Sequence, residues 1–492
     1  MTVRFSAFFL ILVFSISTLN AQKGHNLRVK LDNYAEKELV LGFHYGDKQY
    51  VKDTVTADAD GYFSFQADTL LPCGVYLFVL KPDNAFIQIL LSEKDQELTM
   101  QTDAKDVVGK MKIKGSAENK LFYEYLAFLN TMRTQADTIK AKMTRASGNA
   151  ADSLRLVNES GELDKQVRKF QSDLITKNAE TLTAKIIKSS LELEIPEFEG
   201  ADAREIQMKK YYWYRAHYFD NFNLSDPCFL RSPVLHPKVD NYISKIVPQH
   251  PDSINTAMDE VIRKMKGAEE TYKFYLIHYL NSFAKSTTVG MDACYVHLAL
   301  NYYCNGGAPW VKTEDLEKIC DNAKRLEPIL IGKIAPNIIV KDNQDRPASL
   351  WDVDADYTVL FFWAPDCSHC KKSAPHMVEF AKKFKDRGVK VFAVCTAVAT
   401  NKEDANTPEK VKDTCWKGLQ EKEFNDMLFL NNYDPYVQSR YKTLFDVQTT
   451  PQIFVLDRKH EILMKRIGAE KLNEIMEDII RIQEEKKNPK QK

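Results

Sequence analysis

Apolar and polar residues alternate along the first hundred residues of the chain. Leu27-Arg28-Val29-Lys30-Leu31 alternates strictly, and parts of Glu38–Phe43 and Tyr62–Phe65 do the same. A period of two turns one face of a strand inward and the other outward. Asp60-Gly61 reads as a turn between two strands, and Gly42, Gly46, Pro72, Gly74 and Pro82 punctuate the rest. Residues 22–116 are therefore expected to form an antiparallel, all-β sandwich.

The period changes after that. Leu121, Tyr125, Phe128 and Leu129 fall on one face of a helix, and residues 135–185 are rich in Lys, Asp, Glu, Gln and Ala. This predicts long exposed helices or a helical hairpin, followed by further helices broken at prolines, so 117–328 reads as an α-helical middle domain. Within it, Tyr211, Tyr212, Trp213, Tyr214, Tyr218, Phe219 and Phe222 form an aromatic run. A docking surface is one reading. Helix core is the expected one, because the spacing stacks several rings on one face.

Residues 329–492 alternate strands with helices. Ile338–Val340, Thr358–Trp363, Lys390–Val394, Ile453–Leu456 and Ile462–Lys465 read as strands, with helices over about 368–386, 408–422 and 470–484. The run Thr358–Trp363 is apolar throughout but for its first residue, as in a central strand covered on both faces. The expectation is a multidomain chain ending in an α/β domain.

Composition narrows the setting. Lys+Arg and Asp+Glu both number 68 in 492 residues, so no global positive field invites nucleic acid as a partner. Residues 1–21 carry Arg4, a mostly apolar stretch from Phe5 to Leu19, and a small residue at Ala21. That pattern is expected to be a secretory signal peptide cut near Ala21, leaving an extracytoplasmic chain in the periplasm or cell envelope. As a membrane helix the run is short, and no charged stop follows it. No Cys sits just after the expected cut, so a lipid anchor is not indicated. The nine cysteines are odd in number, so at least one thiol stays free or pairs outside the chain. Cys73, Cys228, Cys294, Cys304 and Cys320 are scattered, and burial as small apolar residues is expected of them. Cys395 and Cys415 admit a disulfide, but separate buried thiols are the expected reading, since bonding distance cannot be judged from sequence.

Chemistry concentrates at one place. The strand Thr358–Trp363 runs into Trp363-Ala364-Pro365-Asp366-Cys367-Ser368-His369-Cys370, and a helix follows. A thiol at a helix N-terminus meets free backbone N–H groups and the positive end of the dipole, and both favour thiolate. Cys367 is the expected nucleophile toward a substrate disulfide. Cys370, one turn on, is the expected resolving thiol. His369 between them favours the reduced form and a more oxidising couple, whereas Asp366 opposes thiolate formation at Cys367. Thr449-Thr450-Pro451-Gln452 precedes the strand Ile453–Leu456, and Thr450-Pro451 is expected to be a cis bond. This chemistry calls for no cofactor and no metal.

These residues resemble the thioredoxin superfamily, closest to TlpA/ResA-like extracytoplasmic oxidoreductases. The resemblance covers about residues 330–485 and rests on Trp363-Ala364-Pro365, the C-x-x-C, Pro375 and Thr450-Pro451. It implies a thioredoxin fold, with Pro451 packed against the Cys367 loop and the Thr450 backbone pairing with the substrate chain. The stretch Tyr218–Asp226 with Leu230–Leu235 is similar to the helical module that precedes thioredoxin domains in Bacteroidetes envelope proteins. Protein substrates bearing thiols or disulfides and a membrane redox partner follow as implications. The chain departs from the pattern twice. Phe361 stands where thioredoxin carries a buried Asp as proton acceptor, and Ser373 stands where some ResA-like proteins have Glu. Ala364 replaces the Thr that a peroxiredoxin needs, and Cys367, His369 and Cys370 lack a fourth ligand for copper. The remaining alternative is a non-enzymatic envelope protein that uses this domain as a partner-binding scaffold.

Overall fold

The structure, a computed structural model, describes residues 24–145, 150–399, 407–424 and 428–487. The expected signal at 1–21 lies outside the described residues. The chain divides into two compact units, one of residues 1–246 with 264–271, the other of 247–263 with 272–492. Among the described residues no helix is long and apolar enough to cross a membrane.

The first unit opens with β1 (His25–Asp32), β2 (Glu38–Tyr45), β3 (Lys48–Thr56), β4 (Tyr62–Ala67), β5 (Gly74–Leu80), β6 (Ala85–Leu91), β7 (Glu97–Asp103) and β8 (Lys112–Lys114). They form two four-stranded sheets, ordered β4-β1-β7-β8 and β3-β2-β5-β6. The alternation in β1 buries Leu27 and Val29 completely and leaves Arg28 and Lys30 partly exposed. Those side chains share a core with Leu39, Leu41, Phe78 and Ile89 of the other sheet, where Phe65 stacks on Phe78 at 5.6 Å. One pairing departs from the expected antiparallel pattern: β1 and β7 run parallel, in register from Asn26 opposite Glu97. The turn before β4 closes through Gly61 N–H to Asp58 O at 3.0 Å, and Gly61 has φ +81°, the left-handed region open to glycine.

Helices α1 (Ala117–Arg145), α2 (Ala150–Lys177), α3 (Leu182–Ser190), α4 (Ala203–His217) and α5 (Leu235–Asn241) complete this unit. α1 and α2 are long and largely exposed, as their polar sequence demands. Glu118 at the start of α1 is buried, and its carboxylate accepts N–H bonds from Leu182 (3.0 Å) and Thr183 (2.7 Å) at the start of α3. It thereby satisfies donors that no helical partner could reach. The aromatic run divides. Tyr218, Phe219 and Phe222 are buried, but α4 buries no residue and Tyr212 is 56% exposed. Helix core thus holds for the second half of the run and in part for the half on α4, where Tyr211, Trp213 and Tyr214 are half-buried and Tyr212 is exposed.

Helices α6 (Pro251–Met265), α7 (Glu269–Ala284), α8 (Asp292–Leu298) and α9 (Thr313–Leu326) lead into β9 (Ile339–Lys341), β10 (Pro347–Ser349), β11 (Tyr357–Trp363), α10 (Ser368–Phe384), β12 (Val389–Cys395), α11 (Pro408–Glu421), β13 (Phe429–Tyr433), α12 (Tyr441–Leu444), β14 (Gln452–Asp457), β15 (Ile462–Lys465) and α13 (Ala469–Lys487). The seven strands order as β10-β9-β13-β12-β11-β14-β15, with β11, β12 and β13 parallel and β14 antiparallel to β11. The apolar run in β11 is used on both faces. Val359, Phe361 and Trp363 pack with α10, α11 and α13. Phe362 points the other way, stacked on Tyr441 of α12 at 5.4 Å and tilted against Phe445 at 5.5 Å. The sequence pattern marked neither β10 nor β13. β13 carries Asn431 and Asn432, whose buried amides donate to backbone carbonyls, so polar residues occupy a central strand.

The cysteines need the largest correction. Cys73–Cys228, Cys304–Cys320 and Cys395–Cys415 are disulfides, and Cys294, Cys367 and Cys370 are free thiols. The first two pairs were expected to be isolated buried thiols, and so was the third. Their partners lie 155, 16 and 20 residues apart, and only the folded chain brings them within bonding reach. Cys294 alone behaves as expected. Burial, aided by the charges of Asp292 and Asp252, pushes its thiol up to about 12.

The Cys73–Cys228 bridge closes the longest loop and so restricts the unfolded chain most. Replacing both by Ser should cost about 2–5 kcal/mol, read as a lower urea midpoint for β-sheet signal. An unchanged midpoint would show that the bridge adds nothing to the first unit.

Candidate active site

β11 ends at Trp363, and the chain turns through Ala364-Pro365-Asp366 into α10. Cys367 is the N-cap of that helix, with extended backbone (φ −77°, ψ 117°), and its sulfur accepts the Cys370 N–H at 3.3 Å. The apolar strand fixes where the chain leaves the sheet, and the helix N-terminus then presents free N–H groups to the sulfur. Cys370 lies one turn deeper and is fully buried; its sulfur accepts the Ala364 N–H at 3.5 Å. The Cys367 thiol donates to the Thr450 carbonyl at 3.2 Å, and Thr450-Pro451 is a cis peptide. Residues 83 positions apart are thus joined at one sulfur.

The two thiols differ sharply. Burial pushes Cys367 up, but hydrogen bonds from the Cys370 thiol, from Thr450 and from the amides of Cys370 and His369 outweigh it. Cys367 therefore lies below the ordinary thiol value. Burial pushes Cys370 up to about 11, and the neighbouring Cys367 sulfur adds to the rise while the Ala364 amide opposes it.

The other expected residues fall around this pair. Trp363 is buried, edge-on to Phe424 with ring centres 5.7 Å apart. Asp366 and His369 are exposed to solvent on either side of Cys367. Phe361 fills the place of an acid with an aromatic ring that meets Phe424 edge-on at 5.8 Å. No group of three His, Cys, Asp or Glu among the described residues could hold a metal ion. One residue carried no signal in the sequence. Lys422, directly after α11, is 5% exposed, donates to the Pro365 carbonyl at 2.9 Å and sits 5.2 Å over the Trp363 ring.

Residues 331–464 match the model of the AhpC/TSA family. The thiol-disulfide oxidoreductase ResA of Bacillus anthracis is 37% identical over 68 residues, which are 14% of this chain and 39% of ResA. ResA of Bacillus subtilis (strain 168) is likewise 37% identical over 68 residues, 38% of its length. The C-terminal domain is thus similar to the thioredoxin superfamily, in its TlpA/ResA-like branch. The chain spans about two fifths of the length of these curated relatives. Among solved structures, a domain of a possible thiol-disulfide isomerase from Cytophaga hutchinsonii is 29% identical. The match covers 32% of this chain and 97% of that one, with a TM-score of 0.27. A thioredoxin-like protein from Bacteroides caccae is 18% identical over 58% of this chain and 99% of its own, with a TM-score of 0.41. Ahead of the thioredoxin-like domain, residues 25–122 and 168–327 match two domains of unknown function, DUF4369 and DUF5106.

The difference between the thiols sets an expected labelling pattern. Alkylation of the reduced, folded chain at pH 7 should modify Cys367 and spare Cys370 and Cys294, whose thiols lie at about 11 and about 12. Peptide mass mapping reads the result. Modification of Cys370 ahead of Cys367 would reverse the assignment of the two sulfurs.

Proposed function

We propose that this protein is an extracytoplasmic thiol–disulfide oxidoreductase acting on protein substrates through Cys367 and Cys370. The observation that carries this reading is the asymmetry of the pair. One thiol is partly exposed and acidified at a helix N-terminus, and the other is buried, raised and one turn away.

In the reducing direction the Cys367 thiolate attacks one sulfur of a substrate disulfide. A Cys367–substrate S–S bond forms, the substrate bond breaks, and the departing sulfur leaves as thiolate. Cys370 then loses its proton and attacks the Cys367 sulfur. The second substrate sulfur is released, and the enzyme holds a Cys367–Cys370 disulfide. Two electrons have passed to the substrate. Once Cys367 is in the mixed disulfide its negative charge is gone, and that contribution to the high Cys370 value disappears with it. Oxidation of a substrate is the same sequence reversed.

Thr450 and Pro451 form the docking edge. The Thr450 carbonyl, which accepts from the Cys367 thiol in the free protein, is released for the substrate backbone when that thiol reacts. His369, Asp366 and Trp363 tune the couple. The three disulfides elsewhere in the chain and the apolar run at residues 5–19 both support an oxidising, extracytoplasmic location. A membrane redox partner would reset the pair after each turnover. Residues 22–116 and 117–328 supply partner selection or dimer contacts.

Equilibration in defined thiol–disulfide buffers, followed by Trp fluorescence, tests the reading. A reversible transition should appear and should vanish in Cys367→Ser, together with insulin-disulfide reduction. A midpoint near about −180 mV assigns oxidation or isomerisation, and one near about −270 mV assigns reduction. A chain with no reversible transition would be a scaffold and not an oxidoreductase.

A further inference from the structure

The segment that inserts α11 between β12 and β13 is tied down at three points. Near its start, Lys412 donates to Asp345 at 2.7 Å. In its middle, Cys415 is bonded to Cys395, the last residue of β12, and Cys395 lies directly opposite Trp363 in the sheet. At its end, Gly418 lies flush against the active-site turn. A Cβ at that position would come within 3.2 Å of Pro365 Cβ and of the Trp363 ring. This close approach lets Lys422 reach the Pro365 carbonyl at 2.9 Å and lie over the Trp363 indole.

A buried ammonium is costly unless hydrogen-bonded or set against an aromatic face, and Lys422 has both at the active-site turn. The same turn serves the two sulfurs. The Ala364 N–H points at the Cys370 sulfur at 3.5 Å, and the Ala364 carbonyl accepts the Cys367 N–H at 3.4 Å. A cavity of about 640 Å³ adjoins this position, lined by Lys371, Glu379 and Lys382 of α10 and by Glu421 and Glu423 beside Lys422. Asp366 and His369 lie on the exposed side of the turn.

We propose that Lys422 is a positioning residue for the redox pair. Carried on a disulfide-anchored helix, it fixes Trp363–Pro365 so that the Ala364 amide stays on the Cys370 sulfur and the Cys367 amide stays in place. The inference deepens the oxidoreductase reading and rests on it for its purpose, but its test needs no substrate. Losing the bond loosens the turn that leads into Cys367, and with it the placement of the Cys367 sulfur against the Cys370 and His369 amides that favour its thiolate. That change raises the Cys367 thiol toward its ordinary value.

The test is the rate of iodoacetamide alkylation of Cys367 in the full chain with Cys367 and Cys370 as free thiols, from pH 5 to pH 9. Peptide mapping confirms that Cys395–Cys415 stays bonded, so that α11 is still anchored. In Lys422→Met the rate below neutral pH should fall about two- to tenfold, the scale of one lost hydrogen bond, and the rate–pH midpoint should move up. Lys422→Arg keeps donor and charge and should stay within about twofold of the parent. Gly418→Ala changes no charge but pushes the helix end off the turn, and should slow alkylation in the same sense. It decides the matter if the Met variant does not fold. Parent-like profiles in the Met and Ala variants overturn the proposal. So does an Arg variant slowed as much as the Met variant. A chain that shows these shifts but no reversible redox transition would refute the oxidoreductase reading and leave the positioning role standing.

Discussion

The chemistry depends on one junction, where a buried strand stops and a helix begins. β11 is covered on both faces, so its path is fixed by packing, and Trp363 anchors its last position. The four residues from Ala364 to Cys367 must then turn the chain so that α10 can start. The helix has unpaired N–H groups at that point, and a sulfur placed there is stabilised as an anion. Cys370, three residues on, falls one turn inside the helix and out of reach of water. One geometric fact thus makes the first thiol acidic and the second reluctant to ionise. A reactive sulfur and a buried resolving sulfur need no further device.

The site is completed by chain segments far away in sequence. Thr450 brings a carbonyl to the Cys367 sulfur because β14 pairs antiparallel with β11, which delivers the start of β14 to the end of β11. On the other side β12 ends level with Trp363, and its terminal cysteine holds α11 against the same turn. The active-site turn is therefore gripped from both neighbouring strands. The nine cysteines divide by environment. Six are crosslinked, Cys294 is a buried free thiol, and the free thiols Cys367 and Cys370 share the helix end.

Much of this was legible in the sequence, because local patterns carry local physics. The alternation in Leu27–Leu31 named a strand and its inward face. The apolar run Thr358–Trp363 ending in Cys367-Ser368-His369-Cys370 named the central strand, the helix start and the pair of thiols at it. Thr450-Pro451 marked the opposing loop. The exposure of Tyr212 on α4 was not legible, since helical spacing shows which rings share a face but not how fully anything covers that face. β13 was missed because its buried Asn431 and Asn432 break the apolar pattern, and their amides are satisfied by backbone carbonyls that a linear reading cannot place.

The sequence by itself determined which residues could do the chemistry, and the order of strands and helices that would carry them. Both are set by spacings of a few residues, over which the chain's own geometry dictates who meets whom. Tertiary structure decided the pairings: which cysteines are bonded, which carbonyl meets the reactive sulfur, and that a lysine after α11 lies buried over the active-site tryptophan. These contacts join positions 16 to 155 residues apart. They exist only once the sheets are assembled, because over such separations nothing in the local chain fixes distance.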